Sequence, residues 1–166
     1  MSPTNIASGE VRGNRVLAGY TCRAHSPAMR LGQLSEAAIY TSDLDAAKRF
    51  YHDVLGLEII SSMESRGISF RCGETVLLVF DPERTRVPDA GVPTHGAIGE
   101  GHIAFVVDDS ELDQWRTRLM ENGIAIEAEV AWPSGGRSIY FRDPAGNVVE
   151  FAPPTLWRTN DGGINP

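Results

Sequence analysis

One order of patterns runs through this chain twice, and few folds satisfy it. Residues 35–41 (SEAAIYT) read as a strand, and Ser42 and Asp43 offer an N-cap to the next segment. In 44–55 the apolar residues Leu44, Ala47, Phe50, Tyr51, Val54 and Leu55 recur at spacings of three and four. That is one stripe of a helix, and Gly56 ends it. Residues 57–63, 68–72 and 75–80 read as three strands, punctuated by Gly67 and by Gly73-Glu74. After a stretch rich in Pro and Gly, 81–99, the order returns. Residues 101–107 read as a strand, and Asp108-Asp109-Ser110 cap a helix over 111–121. Leu112, Trp115, Leu119 and Met120 are expected on one face of that helix, and Asn122-Gly123 close it. Residues 124–132, 138–142 and 148–152 supply three more strands.

Each copy is therefore a βαβββ module. Either module alone is too small for a comfortable core, so the two must share a sheet or pair with another chain. Strand–helix order mixed with hairpins gives an α+β fold. The expected division is a flexible N-terminal extension over 1–31, a first module over 32–82, a linker over 83–99, a second module over 100–154 and a tail over 155–166. The first thirty residues have no sustained periodicity and no continuous apolar stretch of the secretory kind. Met29, just ahead of the patterned region, is an alternative start of translation.

Composition narrows the functions. The chain has 166 residues, 42% hydrophobic and 22% charged, as a globular domain requires. Its formal net charge of -7 argues against a partner that wants a basic surface, so neither nucleic acid nor an anionic membrane is expected. No apolar run approaches the roughly 18 residues of a membrane span. The two cysteines, Cys22 and Cys72, are in no metal-type spacing and frame no disulfide scaffold. The cytoplasm is the expected compartment.

Three polar residues interrupt strands that are otherwise apolar. Glu36 and His102 open the first strands of their modules, and Glu150 lies inside the last strand, where a buried carboxylate is costly. Side chains alternate along a strand. Glu36 shares a face with Ala38 and Tyr40, His102 with Ala104 and Val106, and Glu150 with Val148 and Ala152. The opposite faces, Ala37/Ile39, Ile103/Phe105 and Val149/Phe151, are apolar enough to pack under helices. Two carboxylates and an imidazole brought to one spot need a positive charge among them. One divalent cation suits such oxygen and nitrogen donors: Mn, Fe, Ni, Co or Zn.

The βαβββ repeat resembles the vicinal oxygen chelate superfamily, which includes glyoxalase I, fosfomycin-resistance proteins, extradiol dioxygenases, methylmalonyl-CoA epimerase and bleomycin-resistance proteins. The stretches that carry the resemblance are EAAIYTSDLDAAKRFYHDVLGLE, GHIAFVVDDSELDQWRTRLMENGI and GGRSIYFRDPAGNVVEF. The last is the most specific, because strand, Asp-Pro-x-Gly-Asn turn and strand-borne Glu come in family order. The resemblance implies two modules forming a cupped eight-stranded mixed sheet with helices on its outer face, often in a homodimer. It implies a metal held by Glu36, His102 and Glu150, within one chain or across two. Glyoxalase I has a fourth ligand, a Glu in the last strand of module one. Here that strand is TVLLVF, and Glu74 falls just before it.

Further residues are candidates for the same site. Tyr140 matches a position where relatives have an active-site tyrosine, and its phenol is suited to hydrogen-bond a reacting oxygen. With Glu36 and Glu150 it forms the expected catalytic set. Arg142, Ser138, Arg137 and Trp132 are the expected substrate-binding residues, the arginines for an anionic group. His95, in the linker, is expected at the surface. The expected partner is a small molecule that chelates the metal through vicinal oxygens, and the expected activity is glyoxalase-like, a lyase or isomerase. A ring-cleaving dioxygenase and a metal-free sequestering protein of the bleomycin-resistance type are the alternatives.

Overall fold

The computed structural model describes residues 31–88, 92–133 and 135–157. The expected N-terminal extension up to residue 30, with Met29, lies outside the described residues, as does the tail beyond 157. Module one runs β1 (Glu36–Tyr40), α1 (Leu44–Lys48, continuing as a π-helical turn over Arg49–Val54), β2 (Glu58–Met63), β3 (Gly67–Cys72) and β4 (Thr75–Phe80). Module two runs β5 (His102–Val106), α3 (Leu112–Glu121), β6 (Ile126–Ala131), β7 (Arg137–Arg142) and β8 (Val148–Ala152). Between them, inside the segment read as linker, lies a four-residue helix α2 (Pro82–Thr85). Asp81 caps it by accepting from the amides of Glu83 and Arg84, and Pro82 sits in its first turn. The Asp-Pro start signal was present, but the surrounding Pro and Gly content masked it.

The two modules repeat one topology. The first sheet has the order β1-β4-β3-β2 and the second β5-β8-β7-β6. In each, the first strand pairs parallel to the last and the rest pair antiparallel. The α+β class and the double βαβββ plan are as expected. The single chain, however, holds two four-stranded sheets and not one continuous eight-stranded sheet. Strands β1 and β5 are both edges, each with one side of its backbone unpaired within its sheet.

One face of each sheet turns to a common core. Ile39, Ile68, Phe70, Leu77 and Val79 from the first sheet cluster with Ile139, Phe141, Val149 and Phe151 from the second. Helix residues Ala47, Phe50, Tyr51, Leu112 and Leu119 join them. The π-helical turn lets the consecutive residues Phe50 and Tyr51 both be buried. Phe50 stacks toward Phe141, ring centroids 6.2 Å apart, and Tyr51 toward Phe70, at 5.6 Å. Trp115 closes on Phe151 at 4.9 Å. Met120 is exposed and leaves the face of Leu112, Trp115 and Leu119, because at 100° per residue it falls past their stripe. Among the described residues no helix is long and apolar enough to cross a membrane.

A polar lock joins the modules through this core. The Asp143 carboxylate, 5% exposed, accepts from Tyr51 Oη and Asn147 Nδ2 at 2.8 Å each. It also accepts from the amides of Ala145 and Asn147 at 2.9 and 2.8 Å. Asn147 in turn donates to the Tyr40 carbonyl at the end of β1 and accepts from the Gly101 amide just before β5. Burial first, and then the Asp143 charge, push the Tyr51 phenol far above its ordinary range, so it stays a donor. Replacing Tyr51 with Phe removes one donor from a buried carboxylate. The expected loss is about 1–3 kcal/mol of stability, measured as a lower urea midpoint with an unchanged m-value.

Candidate metal-ligating site

The second sheet's outer face assembles a short chain of hydrogen bonds. In the parallel β5–β8 pair, Ala104 stands opposite Glu150 and His102 opposite Val148, so His102 is one diagonal step from Glu150. In the antiparallel β7–β8 pair, Tyr140 stands directly opposite Glu150. The side chains close these short gaps. His102 Nε2 lies 3.1 Å from Glu150 Oε2, and Tyr140 Oη donates to Glu150 Oε1 at 2.8 Å. A carboxylate only accepts, so Nε2 carries the hydrogen here. The Glu150 side chain is 7% exposed and that of His102 50%. The pair therefore has a buried end and an open end. Among the described residues no Lys or Arg pairs with Glu150. A nearly buried carboxylate with no Lys or Arg beside it among the described residues is an expensive arrangement.

Behind Tyr140 the chain continues. Trp132 Nε1 donates to Ser138 Oγ at 2.7 Å, and Ser138 is fully buried. Burial, followed by the hydrogen bond and charge of Glu150, pushes the Tyr140 phenol up to about 12, with the Ser138 hydroxyl acting in the opposite sense. Ser138 and Trp132 thus support Tyr140 from within the wall, in a place where Ser138 has no exposed surface to offer.

The two arginines expected to bind substrate are engaged elsewhere. Arg142 donates to Glu127 at 3.0 Å, to Glu100 at 2.6 Å and to the Gly146 carbonyl at 2.8 Å. The bonds to Glu127 and then Glu100 hold its guanidinium above the usual range. Arg137 is bound by Asp109 at 3.2 Å and by Glu129 at 3.1 Å. Glu129 is shared with Arg116 at 2.7 Å, which is the first cause of its lowered carboxyl pKa. His95, expected at the surface, is half-buried: its Nδ1 lies 2.9 Å from Tyr40 Oη and its ring 5.0 Å from that of Phe80.

Glu36 does not join His102 and Glu150 within one chain. It lies exposed on the edge strand β1, opposite Val76 of β4. Among the described residues no three His, Cys, Asp or Glu side chains of a single chain converge as metal ligands. The residues present do fit a divalent cation in their chemistry. One imidazole nitrogen and one carboxylate are already side by side, and the more exposed of the two, His102, lies on the edge strand β5.

Comparison with known proteins decides the family. Residues 33–151 match the model of the Glyoxalase/Bleomycin resistance protein/Dioxygenase superfamily. The chain belongs to that superfamily. The crystal structure of lactoylglutathione lyase from Agrobacterium tumefaciens is 42% identical, with a TM-score of 0.75, over 79% of this chain and all of that one. Glutathione transferase FosA of Serratia marcescens is 31% identical over 122 residues, 73% of this chain and 80% of FosA. Catechol-2,3-dioxygenase of Bacillus subtilis is 27% identical over 131 residues, and this chain spans 44% of its length. The relatives therefore include lyase, transferase and dioxygenase activities, and no single one of these is fixed for this superfamily member by kinship.

One contributor escaped the sequence reading. Asn147, read only as a turn former, holds the Gly101 amide at 2.7 Å, one residue before His102. Its signal was the Asp-x-x-x-Asn spacing of the turn. The Tyr140 shift gives a direct test. Its raised pKa means that the protonated phenol favours the fold, an effect fully present below pH 10 and lost as pH rises toward 12. An ultraviolet pH titration should show one phenolate signal delayed to about 12, absent in Tyr140→Phe; a Tyr140 titrating at the ordinary 10 contradicts the hydrogen-bonded geometry.

Proposed function

We propose that this protein is a metal-dependent enzyme of the lyase or isomerase kind, acting on a small molecule that presents vicinal oxygens. The observation that carries the reading is the buried Glu150 carboxylate held between His102 and Tyr140 with no Lys or Arg paired to it among the described residues. The 42% identity to a structure described as a lactoylglutathione lyase favours this chemistry over ring cleavage. The residues that would hold the metal are His102 and Glu150 of one chain and Glu36 of a second copy. A homodimer is the natural source of that third ligand, because the outer faces of β1 and β5 leave Glu36, Ala38, His102, Ala104 and Val106 exposed on unpaired edges. The bound metal would supply Lewis acidity toward the substrate's paired oxygens.

The chain's own residues do the rest. Tyr140 keeps its proton across the neutral range and offers a hydrogen bond to an oxygen on which negative charge develops. Glu150, buried between His102 and Tyr140, anchors the site. Glu36 is exposed and has no side-chain hydrogen bond among the described residues, so it is the base. It takes a proton from the hydroxyl-bearing carbon beside a carbonyl and returns it to the carbonyl carbon, while the hydroxyl proton passes to the former carbonyl oxygen, with no net oxidation. Asn147, through the Gly101 amide, fixes the start of β5 and hence the reach of His102.

Elemental analysis of protein purified without chelator or metal-binding tag tests the site. Wild type should carry near-stoichiometric Mn, Fe, Ni, Co or Zn, and Glu150→Ala, His102→Ala and Glu36→Ala should each lose most of it. Co-expressing Glu36→Ala with Glu150→Ala tests the sharing. If ligands come from two chains, mixed dimers rebuild one intact site, and about a quarter of all sites regain metal. If one chain supplies all three, the mixture stays empty. Wild type that binds none of these metals on addition removes the metalloenzyme reading.

A further inference from the structure

The two sheets carry an arginine at corresponding places on their outer faces, and only one of the two is neutralised. In module two, Arg142 of β7 stands opposite Val148 of β8, and Val148 opposite His102 of β5. In module one, Arg71 of β3 stands opposite Val76 of β4, and Val76 opposite Glu36 of β1. The rows match strand for strand. The two acidic side chains that hold Arg142 come from defined positions. Glu127 is the residue at the β6 bulge, between Ile126 and Ala128, and Glu100 lies two residues before β5 begins. Their counterparts in module one are Ile60, at the β2 bulge between Ile59 and Ser61, and Leu34, two residues before β1 begins. Both carboxylates have become apolar residues, and both of those are exposed.

The substitution leaves Arg71 exposed and without an ion pair or side-chain hydrogen bond among the described residues. Glu58 faces it in the β2–β3 register but does not form an ion pair with it. An exposed guanidinium without a countercharge is unusual in a protein of net charge -7, where carboxylates are plentiful. It stands in the same row as Glu36, two strands away, about 10 Å from backbone to backbone. That gap suits a small ligand whose oxygens lie near Glu36 and whose far end reaches Arg71.

We propose that Arg71 is the substrate-anchoring residue, and that the substrate carries an anionic group, a carboxylate or phosphonate, a few bonds beyond its vicinal oxygens. The placement deepens the metal-dependent reading and rests on it. It also moves the anion-holding role from Arg142 and Arg137, whose guanidinium groups are already committed to carboxylates. Arg71 and Glu36 share one sheet of one chain, so the proposal does not depend on which copy completes the metal site.

Two probes isolate the effect: lactate, a 2-hydroxy acid with no further charge, and 2-hydroxyglutarate, the same chelating unit with one more carboxylate. Their affinities are measured by calorimetry on Mn(II)-loaded protein, with Mn(II) binding itself titrated first. Wild type should bind 2-hydroxyglutarate about tenfold or more tighter than lactate, as a charge-assisted bidentate contact allows. Arg71→Ala should lose that preference and keep its affinity for lactate and for Mn(II), Arg71→Lys should keep part of it, and Lys48→Ala should be unchanged. Equal affinities in wild type, or a preference that survives Arg71→Ala, overturn the assignment while leaving the metal reading intact. A protein that takes up neither Mn(II) nor Fe, Ni, Co or Zn fails the metal reading instead. Arg71 is then judged in metal-free protein by modification with phenylglyoxal, read by peptide mass. 2-Hydroxyglutarate should slow modification of Arg71 severalfold more than lactate does, and equal rates overturn the assignment.

Discussion

The buried carboxylate of Asp143 is the constraint on which the arrangement of the modules depends. Among the described residues no Lys or Arg pairs with it, and it is satisfied by four donors, two from its own turn's backbone and two from the side chains of Tyr51 and Asn147. Each donor ties down a different piece. Tyr51 belongs to the helix of module one, and Asn147 reaches both the end of β1 and the amide before β5. Removing any of these leaves a desolvated charge short of a partner, which costs more than an ordinary surface bond. The lock therefore sets where β5 starts, and through that where His102 stands against Glu150.

The division of the sheets into two faces follows from the same core. Aromatic and aliphatic residues of both sheets gather around α1 and α3, with Phe141 touching Phe50 of one module and Phe151 of its own. That inward commitment leaves the outer faces of β1 and β5 exposed, with Glu36 on one and His102 on the other. Glu150 is the exception, buried on the outer face because Tyr140, His102 and the Trp132–Ser138 contact close around it.

Much of the fold was legible in the chain. The three-and-four spacing of the helices and the turn residues between strands placed nearly every element within a residue or two, because these signals are local. The short helix at Pro82 and the π-helical turn were not legible. The first was hidden in a Pro- and Gly-rich stretch, and the second arises from the need to bury Phe50 and Tyr51 together. Within the site, alternation along the strands put His102 and Glu150 on one face. It said nothing of the partners of Arg137, Arg142 and Ser138, which come from other strands and loops. His95 was misplaced for a related reason: its burial depends on Tyr40 and Phe80, far from it in sequence.

The sequence by itself determined the repeated βαβββ plan, the polar residues set into apolar strands and the acidic character of the protein, since each is written in local periodicity and composition. Only the tertiary structure decided that the repeats form two sheets around one core, that Glu36 stands apart from His102 and Glu150 in a single chain, and that Arg142 is neutralised where Arg71 is not. The physical reason is that register, bulges and burial bring together residues from distant strands. Whether a charge meets a countercharge depends on that meeting, and no spacing along the chain encodes it.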